Sequence, residues 1–293
     1  MRMDKNVERV EISWSREDIE RRFYFDGAKY TQANSLLTFL IAGLISVLFY
    51  GLLIPLKDTE FADMFRNQGA IPYAIVFFSA WSLAILFIKF RKLALQKRCL
   101  NFQIVPNETD FTLTPANVDI VTDRIFEIVD QPKKFVLFNR IMVALANLRN
   151  LGQVGDVDEI LRSQAESDES ILDTSYSLIS GFIWAIPVLG FIGTVLGLST
   201  AIGNFGAVLK KPDDGSESVG IEAIKGQLFE VTGGLSMAFV TTLEALVAAL
   251  FIQLLLTFLK KAEHEFLDDC SAYCTDQVVN KLRIVPFERT NVG

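Results

Sequence analysis

Polar and apolar positions along the chain fall into long blocks rather than the short alternations of a soluble domain. Four stretches, 35–56, 71–90, 178–205 and 231–259, are almost continuously apolar. A bilayer's hydrocarbon core is about 30 Å thick, and a helix needs roughly 20 apolar residues to cross it. Each stretch is long enough. The first three carry no charge before Lys89, and the fourth carries one, Glu244. One such run could be a buried core helix. Four of them, each ending at charges, predict an all-α polytopic membrane protein with four transmembrane helices.

The sizeable polar region is 91–177. Its apolar residues recur at helical spacing: Ile125, Ile128 and Val129, then Phe135, Phe138, Ile141, Met142, Leu145 and Leu148. Pro132 separates these two segments. Residues 156–173 are rich in Asp, Glu and Ser yet keep Val157, Ile160, Leu161 and Ala165, which predicts a solvated helix running into the third span. The region reads as a helical cytoplasmic domain, with a short extended piece over 107–117 where Phe111 and Leu113 alternate. Residues 1–34 mix charges with Trp14, Phe23, Tyr24, Phe25 and Tyr30. They predict a cytoplasmic amphipathic segment, either lying at the membrane surface or packed on the cytoplasmic domain. The connection 206–230 reads as an external loop with a turn at 211–215 and a short helix over 217–229. Residues 260–293 continue the fourth helix into a cytoplasmic tail.

Charge sets the expected orientation. Lys89, Arg91, Lys92, Lys97 and Arg98 follow the second span, Lys260 and Lys261 close the fourth, and Arg21, Arg22 and Lys29 precede the first. Basic residues favour the cytoplasmic side, so N-in and C-in satisfies all three groups. Lys210 and Lys211 fall outside in this scheme, beside Asp213, Asp214 and Glu217. The charged first 30 residues and the long first apolar run, with no small-residue cleavage site, argue against a cleavable signal peptide.

Composition then narrows the chemistry. Hydrophobic residues make up 51% of the 293, and the net charge of −7 sits mostly in the polar parts. No basic cluster interleaves with aromatics, so nucleic acid is not an expected partner. Cys99, Cys270, Cys274 and His264 make an incomplete set for zinc, which takes four ligands; the thiols are expected to pack between helices. There is no Walker loop and no dinucleotide fingerprint, and Gly190, Gly193 and Gly197 sit inside a span. The expectation is no enzyme, no cofactor and no metal.

The third span is the informative one. Advancing about 100° per residue gathers Pro187, Gly190, Gly193, Thr194, Gly197, Thr200, Ala201 and Asn204 on one side. The other side is bulky and apolar. A small, weakly polar face serves either close helix packing or a narrow ion path in which hydroxyls leave room for water. Pro187 would loosen the helix near its cytoplasmic end. In the fourth span Thr242 shares a face with Ala238, Ala245, Ala249 and Gln253, and Thr241 lies next to it. Glu244 points away from that face. A carboxyl inside a span costs about 2.5–3.5 kcal/mol on insertion scales and is a functional candidate, or else a protonated group bonded to a neighbouring helix.

Two stretches carry a resemblance: Pro187-Val-Leu-Gly-Phe-Ile-Gly-Thr-Val-Leu-Gly197, and Gly234-Leu-Ser-Met-Ala-Phe-Val-Thr-Thr-Leu-Glu-Ala-Leu-Val-Ala248. Together they resemble the MotA/TolQ/ExbB proton-channel family. The close match covers 178–259, and the four spans with a cytoplasmic insertion are most like the MotA arrangement. The resemblance implies an ion path lined by Thr194 and Thr242, with Thr241, Gly197, Ala238 and Ala245 beside them. It also implies a homopentamer in the cell inner membrane around a dimer of a single-span, MotB/TolR/ExbD-like partner whose aspartate carries the proton. The chain departs from ExbB-like members at Met237, where those have an acid; Glu244, seven residues on, falls on nearly the same face. Three readings of function follow. The first is a ring-forming subunit coupling ion flow to mechanical work, the second a non-conducting membrane scaffold, and the third a transporter with its own titrating Glu244.

Overall fold

The computed structural model describes residues 10–25, 27–66, 68–106, 111–151, 155–210 and 217–282. The turn read at 211–215, the first nine residues and the start of the 107–117 piece lie outside them, as do the side chains of Asn204, Lys210, Val219, Ile221 and Ile224. The described residues are 81% helical. The helices are α1 Trp14–Glu17, α2 Ile19–Arg22, α3 Ser35–Leu53, α4 Glu60–Arg66, α5 Ile71–Lys97, α6 Val118–Ile128, α7 Val136–Leu151, α8 Gly155–Ser175, α9 Ser177–Lys210 and α10 Glu217–Gln277. Among the described residues, four helical stretches are long and apolar enough to cross a membrane, and the fold is that of an all-α polytopic membrane protein. The segment expected as a short separate helix, 217–229, is instead the opening of α10, which runs unbroken for 61 residues. Its apolar spacing was helical, and no proline or turn dipeptide separates it from the span.

Contacts divide the chain into two units. The spanning unit holds Ser35–Leu86 and Ser177–Thr257. α3 is apolar all round, the pattern of a helix that can face lipid; Leu40, Leu44, Val47 and Leu48 are exposed along it. A polar anchor is Thr38, whose hydroxyl accepts a hydrogen bond from Trp81 Nε1 of α5 at 3.0 Å. Phe39 packs edge-on against Phe77 and Trp81. Trp81 and Phe78 in turn meet Phe182 of α9 at 4.7 and 5.2 Å between ring centroids. Near the other end of α3, Tyr50 stacks on Tyr73 of α5 at 4.4 Å. Aromatic rings thus do between these helices what small residues do between α9 and α10.

The polar unit gathers the residues up to Asn34, Phe87–Tyr176 and those from Phe258 on. α6 buries Val118, Val121, Ile125 and Ile128, the helical repeat read from the sequence. Pro132 opens a single 3₁₀ turn, Pro132–Lys134, between α6 and α7. Cys99, Cys270 and Cys274 are free and buried. Leu113 forms an isolated bridge to Leu282, with its N–H donating to Lys281 O at 2.8 Å. Buried ion pairs hold this unit together: Arg140 with Asp168 at 2.6 Å, Lys92 with Glu20 at 2.6 Å, and Lys89 with Glu263 at 3.4 Å. Periodicity could not reveal these pairs, because each joins segments far apart in sequence.

Residues 10–34 pack into the polar unit, with Ile12 and Trp14 fully buried. Asp130 anchors them. It accepts hydrogen bonds from Trp14 N–H at 2.7 Å, Ser15 N–H at 3.0 Å, the Ser13 hydroxyl at 2.9 Å and the Ser15 hydroxyl. Ile12 N–H adds a bond to Ile128 O at 2.9 Å. Burial alone would push the Asp130 carboxyl up, but these donors outweigh it and hold the group below the usual carboxylate range. A depressed folded value contributes stability that is complete above the unfolded pKa of about 4 and is lost as pH falls through the folded value. Asp130→Ala is therefore expected to cost about 1.5–3 kcal/mol at neutral pH, the range for hydrogen bonds to a charged group. Thermal unfolding of the purified protein checks this: the gap between wild type and variant should close as the buffer is acidified.

Candidate ion path between the last two spans

The site grows out of glycine. α9 and α10 approach so closely that a side-chain carbon at Gly197 would lie 2.5 Å from Gly234 O and 2.8 Å from Ala238 N. At Gly190 it would lie 2.7 Å from Ala245 Cβ and 3.2 Å from Thr242 Cα, and at Gly193 it would strike Thr241 Oγ1. Real side chains do not fit at such distances. Small residues therefore let the two backbones meet, which is how membrane helices associate when lipid competes for every apolar contact. Much of the small face seen in the sequence is thus packing. Ala238, Thr241 and Ala245 are fully or almost fully buried in this seam, and Gly197 sits against Ala238. Thr241 turns its hydroxyl back to Met237 O at 2.8 Å. Close packing, one of the two causes that the sequence could not separate, accounts for these residues.

Thr194 and Thr242 stand apart from this. Both are half-buried, at the edge of the seam rather than inside it, and their hydroxyl oxygens are in direct contact. Each also reaches the same two carbonyls. Thr194 Oγ1 is 3.2 Å from Gly190 O and 3.2 Å from Ala238 O; Thr242 Oγ1 is 3.1 Å from each. The four oxygens form a closed ring across two helices. A threonine hydroxyl has one hydrogen and two acceptor sites, so the two hydrogens can be placed in several ways among the ring's acceptors. Such a ring can orient a water or pass on a hydrogen bond. It cannot hold a charge near neutral pH, because a hydroxyl does not titrate there.

Sequence reading found the two hydroxyls and missed the two carbonyls. The signal was present: Gly190 and Ala238 each sit four residues before one of the threonines. A hydroxyl bonds back to the i−4 carbonyl of its own helix, and a glycine or alanine there leaves that carbonyl open to the neighbouring helix as well. Pro187 lies within α9; having no N–H, it leaves the Ile183 carbonyl without its helical donor, about two turns before the Gly190 carbonyl of the ring.

Glu244 is not part of this ring. It is buried, and neither carboxyl oxygen has a hydrogen-bond partner among the described residues. It lies within electrostatic reach of Tyr50 of α3. Among the described residues no cluster of three or more His, Cys, Asp or Glu could hold a metal ion.

No curated protein and no solved structure matches the chain. The model of one family does, described as the MotA/TolQ/ExbB proton channel family, over residues 137–271. That stretch runs from α7 to the far part of α10 and includes both ring threonines, their two carbonyls and the glycines between them. Over those residues, a little under half of the chain, the sequence is similar to the MotA/TolQ/ExbB proton channel family.

Proposed function

We propose that this chain is the ring-forming subunit of a proton-driven channel complex that couples ion flow across the inner membrane to mechanical work. The observation carrying the proposal is the four-oxygen ring of Thr194, Thr242, Gly190 O and Ala238 O. Two hydroxyls at the rim of a seam closed mainly by glycine and alanine offer polar atoms to a passing group, whereas the neighbouring Thr241 hydroxyl is buried and turned back to its own helix. A proton crossing a bilayer needs a group that can carry it, and the ring has none. The carrier in this reading is an aspartate on a single-span partner, which passes the rim while the hydroxyls hold its water and tune its protonation. A carboxylate held in such a low-dielectric place has its charged form disfavoured by burial and favoured by donated hydrogen bonds. Alternate loading and unloading of the partner's acid, once per subunit, would turn a pentamer about a partner dimer.

The basic residues after the second and fourth spans support N-in and C-in, with the polar unit in the cytoplasm. Membrane vesicles with an imposed pH gradient test the reading. Vesicles containing the chain and its single-span partner should dissipate the gradient, and vesicles containing the chain alone should hold it. No dissipation with the partner present would favour a non-conducting scaffold, and equal dissipation without it would mean that the chain carries its own titrating group.

A further inference from the structure

Glu244 remains outside this scheme, and its surroundings are unusual for a carboxyl in an apolar helix. It is only 8% exposed, and both of its oxygens are buried without a hydrogen-bond partner among the described residues. The Tyr50 hydroxyl of α3 is buried and unpartnered as well, and the two groups lie within electrostatic reach of one another. Tyr50 is fixed by its stack on Tyr73 of α5. Ionised, Glu244 would need a counter-charge or several donors, and an unpaired charge in such a place costs several kcal/mol. Among the described residues no ion pair or hydrogen bond involves its carboxyl; α9 contributes no titratable residue between Ser177 and Gly203. The titratable group within its electrostatic reach is the phenol of Tyr50, which itself stacks on Tyr73.

Position adds a second argument. The first residue of α5, Ile71, lies against Gly193, which also meets Thr241: a side-chain carbon at Gly193 would be 3.4 Å from Ile71 Cγ2. Glu244 is one turn along α10 from Thr241, close beneath the end of the α3–α5 hairpin. The hairpin connection carries Lys57, Asp58 and Glu60, the kind of segment that meets water. A carboxyl and a phenol that both lack partners, this close to a polar turn, suit one bridging water. A buried water needs two to four polar partners, and three oxygens are on offer here. A hard metal cation would want six or more oxygen ligands, which two side chains do not provide.

We propose that Glu244 and Tyr50 form an exchangeable proton-binding site, with Glu244 as the neutral acid hydrogen-bonded to Tyr50 through one water, separate from the threonine ring. Proton uptake there is the simple equilibrium of carboxylate and acid, with the proton coming from the water beneath the hairpin. Thr194 and Thr242 take no part in it, so the site survives even if the ring conducts nothing.

Infrared difference spectroscopy on the complex in lipid tests this directly. Near neutral pH, wild type minus Glu244→Gln should show a protonated-carboxyl stretching band. That band should shift in deuterium oxide, disappear at alkaline pH, and move to higher frequency in Tyr50→Phe as its hydrogen bond weakens. Should Glu244→Gln fail to assemble, wild type minus Tyr50→Phe carries the same test, as paired positive and negative lobes of one displaced band. Carboxylate bands in place of the acid band would overturn the proposal, and so would an acid band indifferent to deuterium oxide or to Tyr50→Phe. Loss of the acid band on adding sodium chloride, but not potassium chloride, at fixed pH would overturn it in favour of a metal cation.

Discussion

Gly197→Val should prevent the last two spans from packing, whereas Gly233→Ala, a short way off on the partner helix, should be harmless. At Gly197 the added carbon meets backbone, 2.5 Å from Gly234 O and 2.8 Å from Ala238 N. Neither atom can swing aside as a side chain would, so α9 and α10 must separate. Overpacking in a well-filled core costs about 1–3 kcal/mol when neighbours can adjust; here the neighbour is a helix backbone, and the expected cost is at the top of that range or above it. The contact is reciprocal, because a carbon at Gly234 would lie 2.8 Å from Gly197 O, so no rearrangement of one helix alone relieves it. At Gly233 nothing lies within 4 Å of the added carbon, and a glycine replaced by alanine inside a helix gains about 0.4–1 kcal/mol where the conformation allows. Thermal unfolding of the detergent-solubilised protein separates the two. Variants of equal stability would mean that the seam is not what holds α9 to α10.

The second large effect is chemical. Thr242→Val keeps the shape of the side chain but replaces the hydroxyl with a methyl, which takes away one of the ring's two donors and leaves Thr194 facing an apolar surface. Gly190 O and Ala238 O keep Thr194 as a partner, so folding should change little: one neutral hydrogen bond is worth about 0.5–1.5 kcal/mol. Partner-dependent proton flux should instead fall by at least tenfold, since positioned polar groups in a low-dielectric path act on the moving charge itself. Thr242→Ser restores the hydroxyl and should recover most of the flux. A large loss of stability together with the loss of flux would mark Thr242 as a packing residue.

How much of this was legible beforehand follows from the physics of each feature. The four spans were plain because bilayer thickness imposes a length, and length is read directly from an unbroken apolar run. The helical repeat of 118–148 was plain for a similar reason. The unbroken course of α10 was not: the 217–229 stretch carries Glu217, Glu222 and Lys225, and a helix leaving an apolar run looks the same whether it stops or continues. Thr194 and Thr242 were found because hydroxyls are sparse among apolar neighbours. That Ala238, Thr241 and Ala245 belong to the seam was not, because a helical wheel gives the direction of a residue and not what occupies it. The partners of Asp130, Arg140 and Lys92 lie in distant segments, and charged residues in polar stretches give no sign that they are buried. Glu244 stood out at once, yet Tyr50 did not, since a tyrosine near the end of a span is ordinary.

The central claim is that the two threonine hydroxyls act as one element of the proton path. Proton flux through the chain with its partner, measured in one set of vesicles for wild type, Thr194→Val, Thr242→Val and the double variant, tests it most directly. Because each hydroxyl works through the ring they share, either single change should remove most of the flux and the double change should remove little more, a strongly non-additive result. Flux near the wild-type level in Thr242→Val, or losses from the two single changes that simply add, would contradict it.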